Sequence, residues 1–233
     1  MNLYQELIKT SQEQGWIPRY EFIPHYKTSL RMTHGSEPKH PFSITFPEFE
    51  YIKSYIKLHE LKIGYDLATA FGISSLAAAL GMKGRGKILT MDCYIEEYYG
   101  KCDLYHGKKE TYPMAMGFKS LINLIVYFNL QNILVPSVGR SPENVPAILN
   151  QFLNKEEKLD YIFVDAEHTV ECVLNDIKAI IPFLNKNKFA IFLHDGYCGC
   201  KEIIEFSEKK FNICPKLVLP DGDNFGLGVI TNI

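Results

Sequence analysis

Two short stretches, Asp165-Ala-Glu-His168 and His194-Asp195, each follow an apolar run and carry side chains suited to metal or proton chemistry. If those runs are neighbouring strands, their backbones lie about 4.8 Å apart, so Asp165 and Asp195 could share one divalent cation with oxygen ligands near about 2.1 Å. An acid just past a strand is also an ordinary cap for the next helix, and Asp165 suits that role equally. His168 could be a general base or a metal ligand, its ordinary pKa lying near about 6.5, but a histidine in a first helical turn is commonly a solvated or capping residue. His194, at the very end of an apolar run, reads as structural.

A second group lies upstream. Lys62 to Leu80 places Asp66 near the end of a strand, a turn of small residues from Ala68 to Gly72, and a helix starting near Ser74. Such a turn lets a ligand approach backbone N–H groups, and the helix N-terminus adds partial positive charge. The same residues also suit a plain strand-to-helix turn. Lys87-Ile-Leu-Thr-Met-Asp92 then reads as a strand ending in an acid. It lies about 20 residues past the loop, where nucleotide-binding α/β folds place a carboxylate to accept hydrogen bonds from ribose hydroxyls. A capping role for Asp92 is the competing reading.

The elements that must position these residues follow from periodicity. Tyr161–Val164 and Phe189–Leu193 are short apolar runs rich in aromatic and β-branched residues. Between them Val170, Val173, Leu174, Ile177, Ile181 and Leu184 recur at helical spacing, with Asn175, Asp176 and Lys178 assigned to the solvent side. This is a βαβ unit. Its right-handed crossover makes the strands parallel and sends both C-terminal ends to one edge, where ligands of open α/β sheets bind. Upstream, a helix is expected over Phe46 to His59. A second runs from Met114 to about Asn129, then a strand over Asn132–Val135 leads to Gly139-Arg140-Ser141, and Pro142 opens a helix through Leu153. A helix near Glu202 to Lys209 and strands at Pro215–Leu219 and Gly226–Ile230, joined across an Asp-Gly turn, predict an antiparallel finish.

Two segments fit no regular element. Trp16 to Pro47 is rich in proline and aromatics and reads as an ordered arm over a site, or as a loop packing its aromatics on the domain's flank; it could also pack against a second copy, giving a homodimer. Tyr94 to Tyr112 is polar and tyrosine-rich and reads as an insertion above the binding edge. Residues 1–59 are thus expected to form helices and an arm packing on a core domain of residues 60–233.

The 233 residues carry a formal charge of −2, with 46% hydrophobic and 22% charged residues. That balance does not favour nucleic acid as a partner. No apolar run approaches the roughly 20 residues that span a bilayer, and Met-Asn-Leu-Tyr-Gln-Glu does not open like a secretory leader, so no membrane partner and a cytoplasmic location are expected. The six cysteines lack paired Cys-x-x-Cys spacing and read as reduced, structural thiols.

In order and spacing these motifs resemble the class I S-adenosylmethionine-dependent methyltransferases, and among them the small metal-dependent O-methyltransferases of the macrocin and catechol types. Asp66-Leu-Ala68-Thr-Ala-Phe-Gly72-Ile-Ser74 is similar to the family's acid-x-Gly-x-x-x-Gly-x-Ser motif, and Asp92 to its ribose-binding acid. Gly139-Arg140-Ser141 resembles the turn beside the adenine, while Phe163-Val-Asp165-Ala-Glu-His168 and Leu193-His-Asp195 resemble the segments that supply metal carboxylates and a catalytic His or Asp. The likeness spans roughly residues 60 to 231.

The resemblance implies a Rossmann-like, doubly wound, mostly parallel seven-stranded sheet with a C-terminal antiparallel hairpin. It implies S-adenosylmethionine held by Asp66, Ala68, Gly72, Ser74, Asp92, Gly139, Ser141 and Asp165, and Mg²⁺ held by Asp165 and Asp195. Asp165 and His168 would be catalytic, with His168 taking the proton from a hydroxyl of a small sugar, natural product or phenol. Two departures stand out. Ala68 occupies the place of the family's first glycine, and Gly196 that of a third oxygen ligand in some members, which leaves that ligand open among Glu167, His168 and water. Competing expectations are a methyltransferase-like binding protein without catalysis, and a metal-independent enzyme with a different acceptor.

Overall fold

The computed structural model of the chain describes residues 44–94, 115–166, 169–221 and 225–233, with Gln5, Lys9, Thr10, Glu13 and Gln14 near the start. The arm from Trp16 up to residue 43, most of the Tyr94 to Tyr112 insertion, and Glu167 with His168 lie outside the described residues.

Helix α1 spans Phe46–Leu58, strand β1 Ile63–Leu67, α2 Ile73–Met82 and β2 Lys87–Asp92. Then come α3, Ala115–Tyr127; β3, Leu134–Val138; α4, Val145–Phe152; and β4, Tyr161–Val164. The chain ends with α5, Val170–Ile180; β5, Ala190–Leu193; α6, Lys201–Phe211; β6, Lys216–Asp221; and β7, Phe225–Thr231. The strands form one seven-stranded sheet in the order β3-β2-β1-β4-β5-β7-β6. The five strands β1 to β5 pair in parallel, while β7 is antiparallel to both β5 and β6. Strand order reverses between β1 and β4, so the crevice of this doubly wound sheet opens at their C-terminal ends. Among the described residues no helix is long and apolar enough to cross a membrane.

Side chains alternate across a strand with a period of two, so each parallel strand feeds two cores. Ile88, Tyr161, Phe163, Ala190 and Phe192 join α1 to α3 in one buried cluster, and Tyr65, Leu67, Leu89, Met91, Ile162, Val164, Ile191 and Leu193 join α4 to α6 in the other. By the same alternation Asp66 and Asp92 belong to the first face, and so do Asp165 and His194, just past their strands. That face is the one covered by α1.

Small residues make α2 a buried helix. Nine of its ten residues are buried, and its Ser74-Ser75 and Ala77-Ala78-Ala79 runs let neighbours approach closely. A Cβ added at Gly81 would lie 2.6 Å from the Lys53 carbonyl oxygen and 2.9 Å from Ile56 Cβ, so the missing side chain sets the α1–α2 contact. On α1, Phe49, Ile52 and Ile56 are buried in that contact, each contributing roughly 1.5–3 kcal/mol.

Three local expectations are corrected. Pro142 does not open α4: it follows Ser141 through a cis peptide, and Pro146 occupies the first turn of a helix that begins at Val145. Strand β3 starts at Leu134 and runs through Pro136, which an edge strand tolerates because one side of its ladder has no partner. Asp176 is buried rather than solvated, because the Ser141 hydroxyl donates to its Oδ1 from the loop after β3. Alanine is intrinsically better in a helix than glycine by about 1 kcal/mol, yet Gly81→Ala is expected to lower stability by about 1–3 kcal/mol through overpacking against α1. A thermal melt checks this; an unchanged or higher Tm contradicts the close contact.

Candidate active site

The loop after β1 is shaped by hydrogen bonds to its neighbour β2. Ala68 N–H and Thr69 N–H donate to the Met91 carbonyl at 2.8 and 3.4 Å, and Gly72 N–H closes a turn on the Thr69 carbonyl at 2.8 Å. Ala68, Ala70 and Gly72 all take positive φ, 63°, 46° and 87°. Ala68 therefore adopts a glycine-like conformation despite its methyl group, at a cost of roughly 1–2 kcal/mol.

Asp92 is buried, and its two oxygens are set by backbone donors: Ala70 N–H to Oδ2 at 2.9 Å and Tyr94 N–H to Oδ1 at 3.1 Å. Burial raises its pKa, and those donors partly offset the shift. Gly139 N–H donates to the Asp92 carbonyl at 3.0 Å, bringing the turn after β3 beside this acid. Asp66 lies deeper, 1% exposed. Its Oδ2 accepts from the Ser74 hydroxyl at 2.7 Å and from the Ser75 hydroxyl, while its Oδ1 has no hydrogen-bond partner. Burial pushes Asp66 up to about 7, the two serines pull it down, and the charges of Asp165 and Asp92 add to the rise. A buried, unpartnered carboxylate oxygen is costly and suits a cationic or donor ligand.

At the ends of β4 and β5 the register places Asp165 level with His194, since Val164 pairs with Leu193. His194 Nδ1 lies 2.9 Å from Asp165 Oδ1 and 3.3 Å from Asp195 Oδ1. Its Nε2 lies 3.3 Å from Glu48 Oε1 of α1. A strand continued past Leu193 would send Asp195 to the opposite face. Instead β5 ends, and positive φ at Asp195 (61°) and Gly196 (74°) turns the chain, so Asp195 rejoins the cluster. Burial alone would lower the His194 pKa, but the Asp165 and Glu48 carboxylates raise it to about 10. Burial likewise raises Glu48, yet the His194 charge and the hydrogen bonds from His194 and Thr45 bring it to about 2.

One ligand atom each from Asp165, His194 and Asp195 lies within 4.8 Å of the others, a donor set that could hold a metal ion. The pairing of Asp165 with Asp195 expected from sequence thus comes with an imidazole between them. Reading His194 as structural missed this. The Ser74 hydroxyl donates to Asp66 and the Ser141 hydroxyl to Asp176. Glu48 carried no functional signal beyond Thr45-Phe-Pro-Glu48, a pattern that marks a helix start.

The raised Asp66 has a defined consequence for stability. Between about 4 and about 7 the folded chain holds a proton that the unfolded chain has released, so folding weakens as pH rises through that window. Asp66→Asn removes this dependence: the variant's stability relative to the parent should rise from pH 5 to pH 8, by at most about 3 kcal/mol. Urea unfolding at the two pH values checks it, and parallel curves contradict it.

A family model described as "Methyltransferase domain" matches residues 67–196, more than half of the chain. Solved structures of the same fold include an O-methyltransferase from Bacillus cereus in complex with SAH (TM-score 0.61, 12% identity, 96% of this chain and 95% of that one). Others are the O-methyltransferase TomG from Streptomyces achromogenes, involved in tomaymycin synthesis and in complex with SAM (0.59, 12%, 81% and 79%), and a methyltransferase from Geobacter sulfurreducens (0.56, 10%, 81% and 79%). Curated protein sequences gave no match. With its glycine-like β1 loop, its buried acid at the end of β2 and its reversed strand order, the chain belongs to the methyltransferase-domain family and has the class I fold of the S-adenosylmethionine-dependent enzymes it resembles.

Proposed function

We propose that this methyltransferase moves a methyl group from S-adenosylmethionine to a hydroxyl of a small molecule, with a divalent metal held by Asp165, His194 and Asp195. One observation carries the reading: the β1 loop, Asp66, Asp92 and the acid–imidazole cluster sit at one edge and on one face of the sheet. The solved O-methyltransferases of the same fold support the choice of acceptor atom.

On the donor side, S-adenosylmethionine supplies an electrophilic methyl group on its sulfonium. Asp92, already oriented by two backbone amides, is the acceptor suited to ribose hydroxyls. The free Oδ1 of Asp66 suits the ammonium of the methionine portion. The turn at Gly139 flanks the adenine end, beside Asp92.

On the acceptor side, the metal supplies Lewis acidity, which makes a neutral hydroxyl easier to deprotonate. Two carboxylates with an imidazole suit manganese at least as well as magnesium, because magnesium prefers oxygen ligands throughout. Asp165 and Asp195 supply the carboxylate oxygens of the cluster, His194 lies against both, and His168 takes the acceptor's proton. Held this way, the acceptor oxygen and the methyl carbon meet with little loss of entropy.

Asp165→Asn tests the division of labour. Turnover, measured as methyl transfer from labelled S-adenosylmethionine to a panel of phenolic and sugar hydroxyls, should fall by at least about 100-fold. Calorimetry should show S-adenosylhomocysteine binding within a few-fold of the parent. Full activity in the variant contradicts the metal role, and no heat with S-adenosylhomocysteine in the parent contradicts the donor site.

A further inference from the structure

We propose that Glu48, on helix α1 outside the matched domain, is a positioning residue for the metal site, acting through His194. The inference rests on the metal reading above. Glu48 is 3% exposed, an unusual position for a glutamate, and both of its oxygens are engaged. Oε2 accepts the Thr45 backbone N–H at 2.6 Å, and Oε1 faces His194 Nε2 at 3.3 Å.

This double engagement fixes the imidazole from behind. With Nε2 facing Glu48, the other ring nitrogen, Nδ1, is the one presented to Asp165 and Asp195, at 2.9 and 3.3 Å. The Phe163 ring packs on the imidazole with centroids 5.9 Å apart and limits its tilt. A ligating histidine needs its second nitrogen held by an acceptor, because that contact sets which nitrogen carries the proton and how the ring points. Glu48 supplies such an acceptor, and Thr45 supplies the contact that holds Glu48. The start of α1 thereby becomes part of the site: the Thr45 N–H, the Glu48 carboxylate, the His194 ring and the two aspartates form one chain of contacts.

Glutamine cannot replace Glu48 silently. A carboxylate offers an acceptor to each of the two donors, whereas an amide has one acceptor oxygen and an NH₂. Glu48→Gln must therefore turn a donor toward either Thr45 N–H or His194 Nε2–H.

The test is Mn²⁺ affinity, read by calorimetry and by loss of the free-ion electron paramagnetic resonance signal, in the full chain. Glu48→Gln and Glu48→Ala are expected to weaken Mn²⁺ binding by about 10–100-fold. Thr45→Ala, which keeps the backbone N–H but weakens the helix cap, should lower Tm while changing Mn²⁺ affinity less than about threefold. In a His194→Ala background, Glu48→Gln should add no further loss, because Glu48 acts through that ring. If Glu48→Ala does not fold, Glu48→Gln alone carries the comparison. Parent-like Mn²⁺ affinity in Glu48→Gln, or an undiminished effect without His194, overturns the positioning role and leaves the metal reading standing. Absence of Mn²⁺ binding in the parent overturns both.

Discussion

The site depends on parity in the parallel strands. In β1, β2, β4 and β5 the residues that face α1 and α2 are every second one, and Asp66, Asp92, Asp165 and His194 fall on that count. Parallel pairing in register then brings them to one edge, with Leu67 against Val164 and Val164 against Leu193. A slip of one residue in any strand would turn its acid or imidazole to the opposite face. The apolar residues between them, buried on both faces, make such a slip prohibitive.

Burial gives the cluster its character. Four titratable groups, Glu48, Asp165, His194 and Asp195, meet where water is scarce, and three are acids. An isolated carboxylate there would take up a proton; beside the imidazole, Glu48 instead stays charged to about 2 and His194 to about 10. Their contribution to folding stability is therefore complete between about 4.5 and about 6.5, is lost on the acid side as pH falls toward about 2, and is lost on the basic side as it rises toward about 10. Asp66, which has hydroxyl partners but no cation, shows the opposite outcome and rises to about 7. The two sides of one pocket are thus held in different electrostatic states by the presence or absence of one buried base.

Much of this was legible in the chain. The strands ending in Val164, Leu193 and Asp92 stand where periodicity put them, because short apolar runs bounded by polar turns leave few alternatives. The parallel pairing of the βαβ strands and the antiparallel finish followed from general rules of chain connection. Register did not follow, and with it went the partnership of Asp165 with His194, since nothing in either segment states which residues lie level. The role of Glu48 was hidden for the same reason: its contact with His194 joins α1 to the end of β5. Asp176 was misassigned because helical periodicity locates an apolar stripe but not a buried hydroxyl waiting in another loop.

The central claim, that the acid–imidazole cluster and the β1 loop serve one reaction, is tested most directly by a crystal structure with S-adenosylhomocysteine and Mn²⁺, using anomalous scattering to locate the metal. The account predicts one anomalous peak within bonding distance of Asp165, His194 and Asp195, with the ribose on Asp92 and the sulfur of the nucleoside directed toward the metal. A peak elsewhere, or a nucleoside bound away from the β1 loop, would contradict it.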